Sequence, residues 1–303
     1  MPEWRAELEI DAALVRRLLA EQFPELDLSS LRLVGEGWDN AVWLVDRRWL
    51  FRFPRREAAV RSAELQTALL PRLAPLLPLP IPEPLFAGRP DHGYPWSFLG
   101  MALLPGREPA EITLDDVMRA RAARPLAGFL RALHAPEVLE VEGVEALPID
   151  PLRRADMAFR VERTRTRLEE VRGLGVWDAP PEAERLLAEA EKLPPPSRLS
   201  VVHGDLHLRH LLVDDSGLPA GIVDWDDCCR ADPAIDLVLY WAYLPPAARV
   251  DFVAVYGHPD DAALHRGRVL ALFICAAVAA YGRVEGLPGL EREAVAGLNR
   301  AMT

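Results

Sequence analysis

Val201-Val-His-Gly-Asp-Leu-His-Leu-Arg-His-Leu-Leu-Val-Asp214 and, a few residues on, Gly221-Ile-Val-Asp-Trp-Asp-Asp227 are the stretches on which the reading of this chain turns. Short apolar runs at Leu199–Val202, Leu211–Val213 and Ile222–Val223 alternate with polar or glycine-bearing segments, the pattern of short buried strands joined by loops. Asp205 falls in the middle of the first loop. Asp224 falls nineteen residues later, at the end of an apolar strand. Two carboxylates at adjacent strand ends suit one task. One orients or deprotonates a hydroxyl, and the other holds a divalent metal on phosphate oxygens. His203, His207 and His210 crowd the same loop. On a helix, His203 and His207 would share a face and offer a zinc site, but the flanking strands place them in a loop.

Upstream, Asp11 caps a helix through Leu14, Val15, Leu18 and Leu19. Leu31 to Gly37, Ala41 to Val45 and Trp49 to Phe53 predict a three-stranded antiparallel meander, with a Gly-rich turn at Gly35-Glu-Gly37. Residues 56–73 have helical periodicity, and the Pro-rich stretch 75–84 ends that helix. Leu85–Ala87 and Ser97–Leu104 predict two further strands, and Pro105-Gly106 marks a boundary. Beyond it, helices are expected over 115–134, 157–171 and 181–193, and again from Asp232-Pro233 to the end.

The 303 residues fit two domains or lobes, at about 100–200 residues each. A net charge of −11 argues against a nucleic-acid-binding face, which needs a basic patch, and leans towards a cationic ligand. Three cysteines, two of them adjacent (Cys228 and Cys229), give no disulfide framework and fit a reducing cytoplasm. The N-terminus lacks a basic, apolar leader pattern. The longest apolar run, 269–281, is too short to span a membrane and reads as a buried helix.

His203-Gly-Asp205-Leu-His207, followed by Ile222-Val-Asp224-Trp225, resembles the catalytic and metal loops of the aminoglycoside-phosphotransferase family of kinase-like enzymes. Gly35-Glu-Gly-Trp-Asp-Asn40 and Phe51-Arg-Phe-Pro-Arg-Arg56 resemble the nucleotide loop and third strand of that family. Arg230-Ala-Asp-Pro-Ala-Ile-Asp236-Leu resembles its segment after the metal loop. In motif detail the chain is closest to the macrolide-phosphotransferase branch. The resemblance implies an α+β, two-lobed protein-kinase-like fold. Residues 1–104 would form a β-rich, nucleotide-binding N-lobe. Residues 105–303 would form a mainly helical C-lobe carrying the catalytic and metal loops and the acceptor site.

It further implies ATP or GTP as donor, Mg²⁺, and a small-molecule hydroxyl as acceptor, whether an aminoglycoside, a macrolide or a metabolite. By the same resemblance Asp205 is the catalytic base or hydroxyl-orienting group, Asp224 a metal ligand, His203 a brace and Asp236 an anchor. Gly35, Gly37, Asn40 and Arg52 would contact the nucleotide, with Trp38 a candidate for the same face. Met101 to Leu104 would be the hinge, with Met101 and Leu103 offering backbone groups to the base.

Two positions depart from the common pattern. The metal-ligating Asn expected five residues after the catalytic Asp is His210, a softer ligand for Mg²⁺ than oxygen, though one that the macrolide branch shares. The phosphate-binding Lys of the third strand is Arg52; the chain's one Lys, Lys192, lies far away in sequence. Arg grips phosphate through two donors, and Glu64 is its expected partner, with Glu57 second. The same departures motivate the alternative of a nucleotide-binding pseudokinase without transfer activity. The histidines motivate a third class, a metallohydrolase.

Overall fold

The computed structural model describes residues 7–37 and 39–303, so the reading of Trp38 lies outside the described residues. The chain divides into two compact units, Met1–Pro75 with Ile81–Leu104, and Leu76–Pro80 with Pro105–Thr303.

In the first unit, α1 (Ala12–Gln22) starts at Asp11, whose carboxylate accepts from the Leu14 N–H at 2.7 Å. The expected meander forms as β1 (Arg32–Glu36), β2 (Asn40–Val45) and β3 (Trp49–Pro54). After α2 (Glu57–Leu73) come β4 (Pro84–Gly88) and β5 (Phe98–Ala102). The sheet order is β1-β2-β3-β5-β4, every pair antiparallel. Strand alternation sorts the side chains. Phe51, Phe53 and Phe98 join Val15, Leu18 and Leu19 of α1 in one core, and Leu50, Leu99 and Met101 meet Ala63 of α2 in another. Gly88 and Gly100 make room for the rings: a Cβ there would lie 2.1 Å from Phe98 and 2.5 Å from Phe51.

The second unit is mainly helical. The single helix expected over 115–134 is two, α3 (Asp116–Ala120) and α4 (Ala123–Leu133). Pro125 has no N–H to bond back into a continuous helix, but it fits the first turn of a new one, where the N–H has no intrahelical partner. Then come α5 (Met157–Gly173), α6 (Pro181–Ala190) and four short strands, β6 (Ser200–Val202), β7 (Leu211–Val213), β8 (Pro219–Ile222) and β9 (Cys229–Ala231). After a 3-10 turn at Pro233–Leu237 the chain continues as α7 (Val238–Ala242), α8 (Arg249–Tyr256), α9 (Asp261–Val284) and α10 (Pro288–Ala301).

β6 pairs with β9, and β7 with β8, as separate two-stranded sheets. The strands leading to Asp205 and Asp224 are therefore not neighbours, as the sequence suggested; two loops bring the carboxylates together.

The apolar run 269–281 belongs to α9, whose 24 residues are long and apolar enough to cross a membrane by length and composition. That corrects the reading of the run as too short. The helix packs against α5, α7 and α10, with 56% of its most apolar window buried. Arg119 of α3 and Glu293 of α10 form a buried two-pronged ion pair, both contacts 2.7 Å.

Candidate active site

Two loops build the site, 203–210 between β6 and β7, and 223–228 between β8 and β9. The first is fixed by a buried carboxylate. Asp236, on the 3-10 turn after β9, accepts from the N–H of His203 (2.7 Å) and of Gly204 (3.0 Å), and from His134 Nε2 (3.1 Å). His134 Nδ1 lies 2.8 Å from the Tyr256 hydroxyl. Asp236 is thus the anchor that the resemblance implied. His134, which follows the last residue of α4, is part of that anchor.

Gly204 has φ +87°, and a Cβ there would sit 2.2 Å from the Asp227 carbonyl oxygen, so the first loop rests directly on the second. His203 is fully buried and joins the two. Its Nε2–H donates to the Val223 carbonyl (3.0 Å), and its Nδ1 accepts from the Asp205 N–H (3.3 Å). Burial pushes its imidazole down, towards the neutral form that this bonding needs.

The candidate groups Asp205, His210 and Asp224 come together across these two loops. Asp205 Oδ1 accepts from Arg154 Nη2 at 3.1 Å, and Asp205 Oδ2 lies 3.4 Å from His207 Nε2. His210 Nδ1–H donates to the Asp205 carbonyl at 2.7 Å, which turns its Nε2 towards Asp224, 3.4 Å from Oδ2. Asp224 adopts φ +65° and is the most open of the three, with its side chain 44% exposed against 25% for Asp205 and 14% for His210.

Burial opposes the charge on Asp205. The hydrogen bond from His207 and the positive charges of His207, His210 and Arg154 outweigh it and hold the carboxyl well below the usual range. His207 itself is pushed down by burial, so the permanently charged Arg154 is the constant part of that stabilisation.

Arg154 was not singled out in the sequence. It precedes α5, is 11% exposed, and bridges Asp205 to Asp227, whose Oδ2 accepts at 2.6 Å. Its backbone N–H is capped by Asp150 Oδ1 at 2.7 Å. A basic residue in a Pro-containing loop carries no sequence signal of this role; only burial against two carboxylates reveals it.

Asp205, His207 and His210 could together hold a metal ion. His203 is engaged with backbone groups instead, which breaks the three-histidine set expected of a metallohydrolase. Asp205 and Asp224 offer the oxygen ligands that a hard divalent cation prefers, and the His210 imidazole between them is a softer donor.

In the first unit, the Gly-rich turn joins β1 to β2. Gly37 N–H donates to the Asn40 carbonyl (2.9 Å), and Arg55 reaches Glu36 (2.6 Å) and the Gly37 carbonyl (2.8 Å). Gly35 and Gly37 have neither a positive φ nor a close neighbour at the Cβ position. Arg52 Nη1 donates to Gln66 Oε1 at 3.3 Å. Gln66 is buried on α2 while the expected partner Glu64 is exposed, because two residues are about 200° apart around a helix. Met101 is buried in β5. The Leu103 N–H donates to the Arg48 carbonyl at 2.7 Å and is therefore not available to a nucleotide base.

Fold and motifs define a class. Residues 30–270 match the model of the phosphotransferase enzyme family, and the chain belongs to that family, a class of kinase-type enzymes. Its α+β fold is the kinase-like fold of aminoglycoside and macrolide phosphotransferases. The GDP complex of wild-type aminoglycoside 2'-phosphotransferase-IIIa superposes with a TM-score of 0.69 at 21% identity, covering 97% of this chain and 99% of that one. Macrolide 2'-phosphotransferase MphH from Brachybacterium faecium gives 0.63 at 24% identity, covering 95% and 98%. Among curated proteins, the uncharacterized protein YcbJ of Bacillus subtilis is 28% identical over 214 residues. That match spans 63% of this chain and 62% of YcbJ, under two thirds of the relative's length.

Proposed function

We propose that the protein transfers the γ-phosphoryl group of ATP or GTP to a hydroxyl of a small molecule, with Mg²⁺. The observation that carries this reading is the His210 side chain, which touches the Asp205 backbone with one ring nitrogen and approaches Asp224 with the other. Asp205 is the hydroxyl-orienting residue. Because its carboxyl is held below the usual range, it stays ionised and accepts the hydroxyl proton only as the oxygen–phosphorus bond forms. Asp224 and His210 would hold the divalent cation, which neutralises charge on the nucleotide phosphates. Arg154 keeps the Asp205 carboxylate in one orientation.

Gly35, Gly37, Asn40 and Arg52 are read as nucleotide contacts, with Met101 and Leu103 beside the base. Support comes from the two glycines: the chain itself gives no reason for the missing Cβ, whereas close approach of a phosphate does. The three free, buried cysteines support a reducing, cytoplasmic setting.

The test is a melting-temperature series with ATP and GTP, with and without Mg²⁺, on the wild type and on Asp224→Ala. A nucleotide shift that grows with Mg²⁺ in the wild type, and loses that increment in Asp224→Ala, is expected. An equal Mg²⁺ increment in both proteins would remove Asp224 from the metal site.

A further inference from the structure

The segment 149–163 borders Asp205 through Arg154, and its uncommitted groups are basic and apolar. Ile149 and Leu152 are exposed, 63% and 48%. The half-buried Phe159 ring, on the first turn of α5, carries Arg153 at 4.4 Å, Arg163 at 4.3 Å and Arg160 at 5.6 Å. Arg160 also lies 4.6 Å from the Phe273 ring of α9.

Of the acids in this region, the exposed Glu162 lies 3.6 Å from Arg165, and the others are more closely engaged. Asp150 accepts from the N–H groups of Arg154 (2.7 Å) and Ala155 (2.9 Å). Asp156 caps α5 at the Phe159 N–H and takes Arg153 at 2.5 Å. Asp227 takes Arg154.

The cations are less fully matched. Among the described residues, Arg163 has an aromatic ring but no carboxylate. Arg160, only 5% exposed, donates Nη2 to the Leu152 carbonyl at 2.8 Å, and its buried Nε has no hydrogen-bond partner. Burial, then the charges of Arg154 and Arg163, push the Arg160 guanidinium down to about 10. Asp150 and Asp156 oppose that push without cancelling it, and guanidiniums only partly matched by carboxylates attract a carboxylate or phosphate more than an ammonium group. The overall acidity of the chain, which leans towards a cationic ligand, does not extend to this stretch.

We propose that the phosphoryl acceptor is a hydroxyl compound bearing an anionic group, a carboxylate or a phosphate. Arg160 and Arg163 bind the anion, and Phe159, Leu152 and Ile149 contact an apolar part. The inference rests on the phosphotransferase reading of Asp205. It makes a polycationic aminoglycoside the wrong substrate.

The experiment measures nucleoside-diphosphate release by the full chain, with Mg²⁺ and ATP or GTP, against three panels. These are hydroxy acids, phosphate monoesters of sugars and polyols, and kanamycin, streptomycin and a macrolide. Turnover is expected on one anionic panel, and which one responds distinguishes carboxylate from phosphate. With the responding compound, Arg163→Ala should raise KM roughly 10- to 100-fold, the loss of a charge-assisted hydrogen bond, with a much smaller change in kcat. Arg163→Lys should recover part of that loss.

Faster turnover of kanamycin, or a KM unmoved by Arg163→Ala, overturns the inference. Silence of both anionic panels also overturns it. If wild-type hydrolysis of nucleotide persists in that case and is lost in Asp205→Asn, the phosphotransferase reading stands and only the acceptor class falls. If hydrolysis is absent as well, both fall.

Discussion

The loop 203–210 and the turn 36–40 carry motifs of similar length, yet they are held by different forces. The loop is tied from inside. A fully buried carboxylate, Asp236, takes two of its backbone N–H groups, His203 bolts it to Val223, and Gly204 sits against Asp227 with no room for a Cβ. The turn is tied from outside, by Arg55 to Glu36 and Arg56 to Asp39, and a Cβ at either glycine would meet its nearest neighbour at an ordinary 3.8–3.9 Å. Buried polar networks fix geometry and tolerate little change, whereas partly exposed ion pairs contribute about 0–1 kcal/mol each. The difference matches the proposed tasks. A group that must meet a reacting hydroxyl within a fraction of an ångström needs a rigid support. A turn that closes on a ligand can draw on the ligand for its final order.

The contrast predicts a graded series. Asp236→Asn should cost the most stability, about 3 kcal/mol, because one amide oxygen cannot replace a carboxylate that accepts three buried hydrogen bonds. Chemical denaturation would show it as a lowered midpoint. Gly204→Ala should cost about 1–3 kcal/mol from the forced φ and the clash with Asp227, and nucleotide turnover should fall with it. A wild-type melting curve for Gly204→Ala would show that the two loops can separate freely. Gly37→Ala should leave stability within about 0.5 kcal/mol while weakening nucleotide binding about tenfold. Calorimetric titration separates these two effects, and unchanged affinity would remove the turn from the nucleotide site. Arg56→Ala should have the smallest effect, under about 1 kcal/mol in a thermal melt.

Local patterns in the sequence carry much of the fold. The meander, α2 and the terminal helices follow from alternation, helical period and Pro or Gly boundaries. What escapes is set by distant partners. β9 is three residues long, shorter than any period, and exists because it pairs with β6. The split between α3 and α4 depends on one proline. Glu64 and Gln66 lie on the same periodic helix, and only its orientation against the sheet decides that Gln66 meets Arg52.

The candidate site shows the same division. Asp205, His210 and Asp224 stand out because carboxylate and imidazole in strand-flanked loops are chemically marked. Arg154 does not, because one arginine among many becomes distinctive only when tertiary structure buries it between two acids.

Asp205 is where the loop's rigidity and the proposed chemistry meet, and one variant addresses both. Asp205→Asn keeps the shape of the side chain and removes its charge. Mg-dependent nucleoside-diphosphate release, followed by phosphorus NMR at matched folded concentration, should fall by on the order of 10²–10⁴-fold, with nucleotide affinity retained. Turnover at the wild-type rate in Asp205→Asn would contradict the assignment of Asp205 as the group that orients the acceptor hydroxyl.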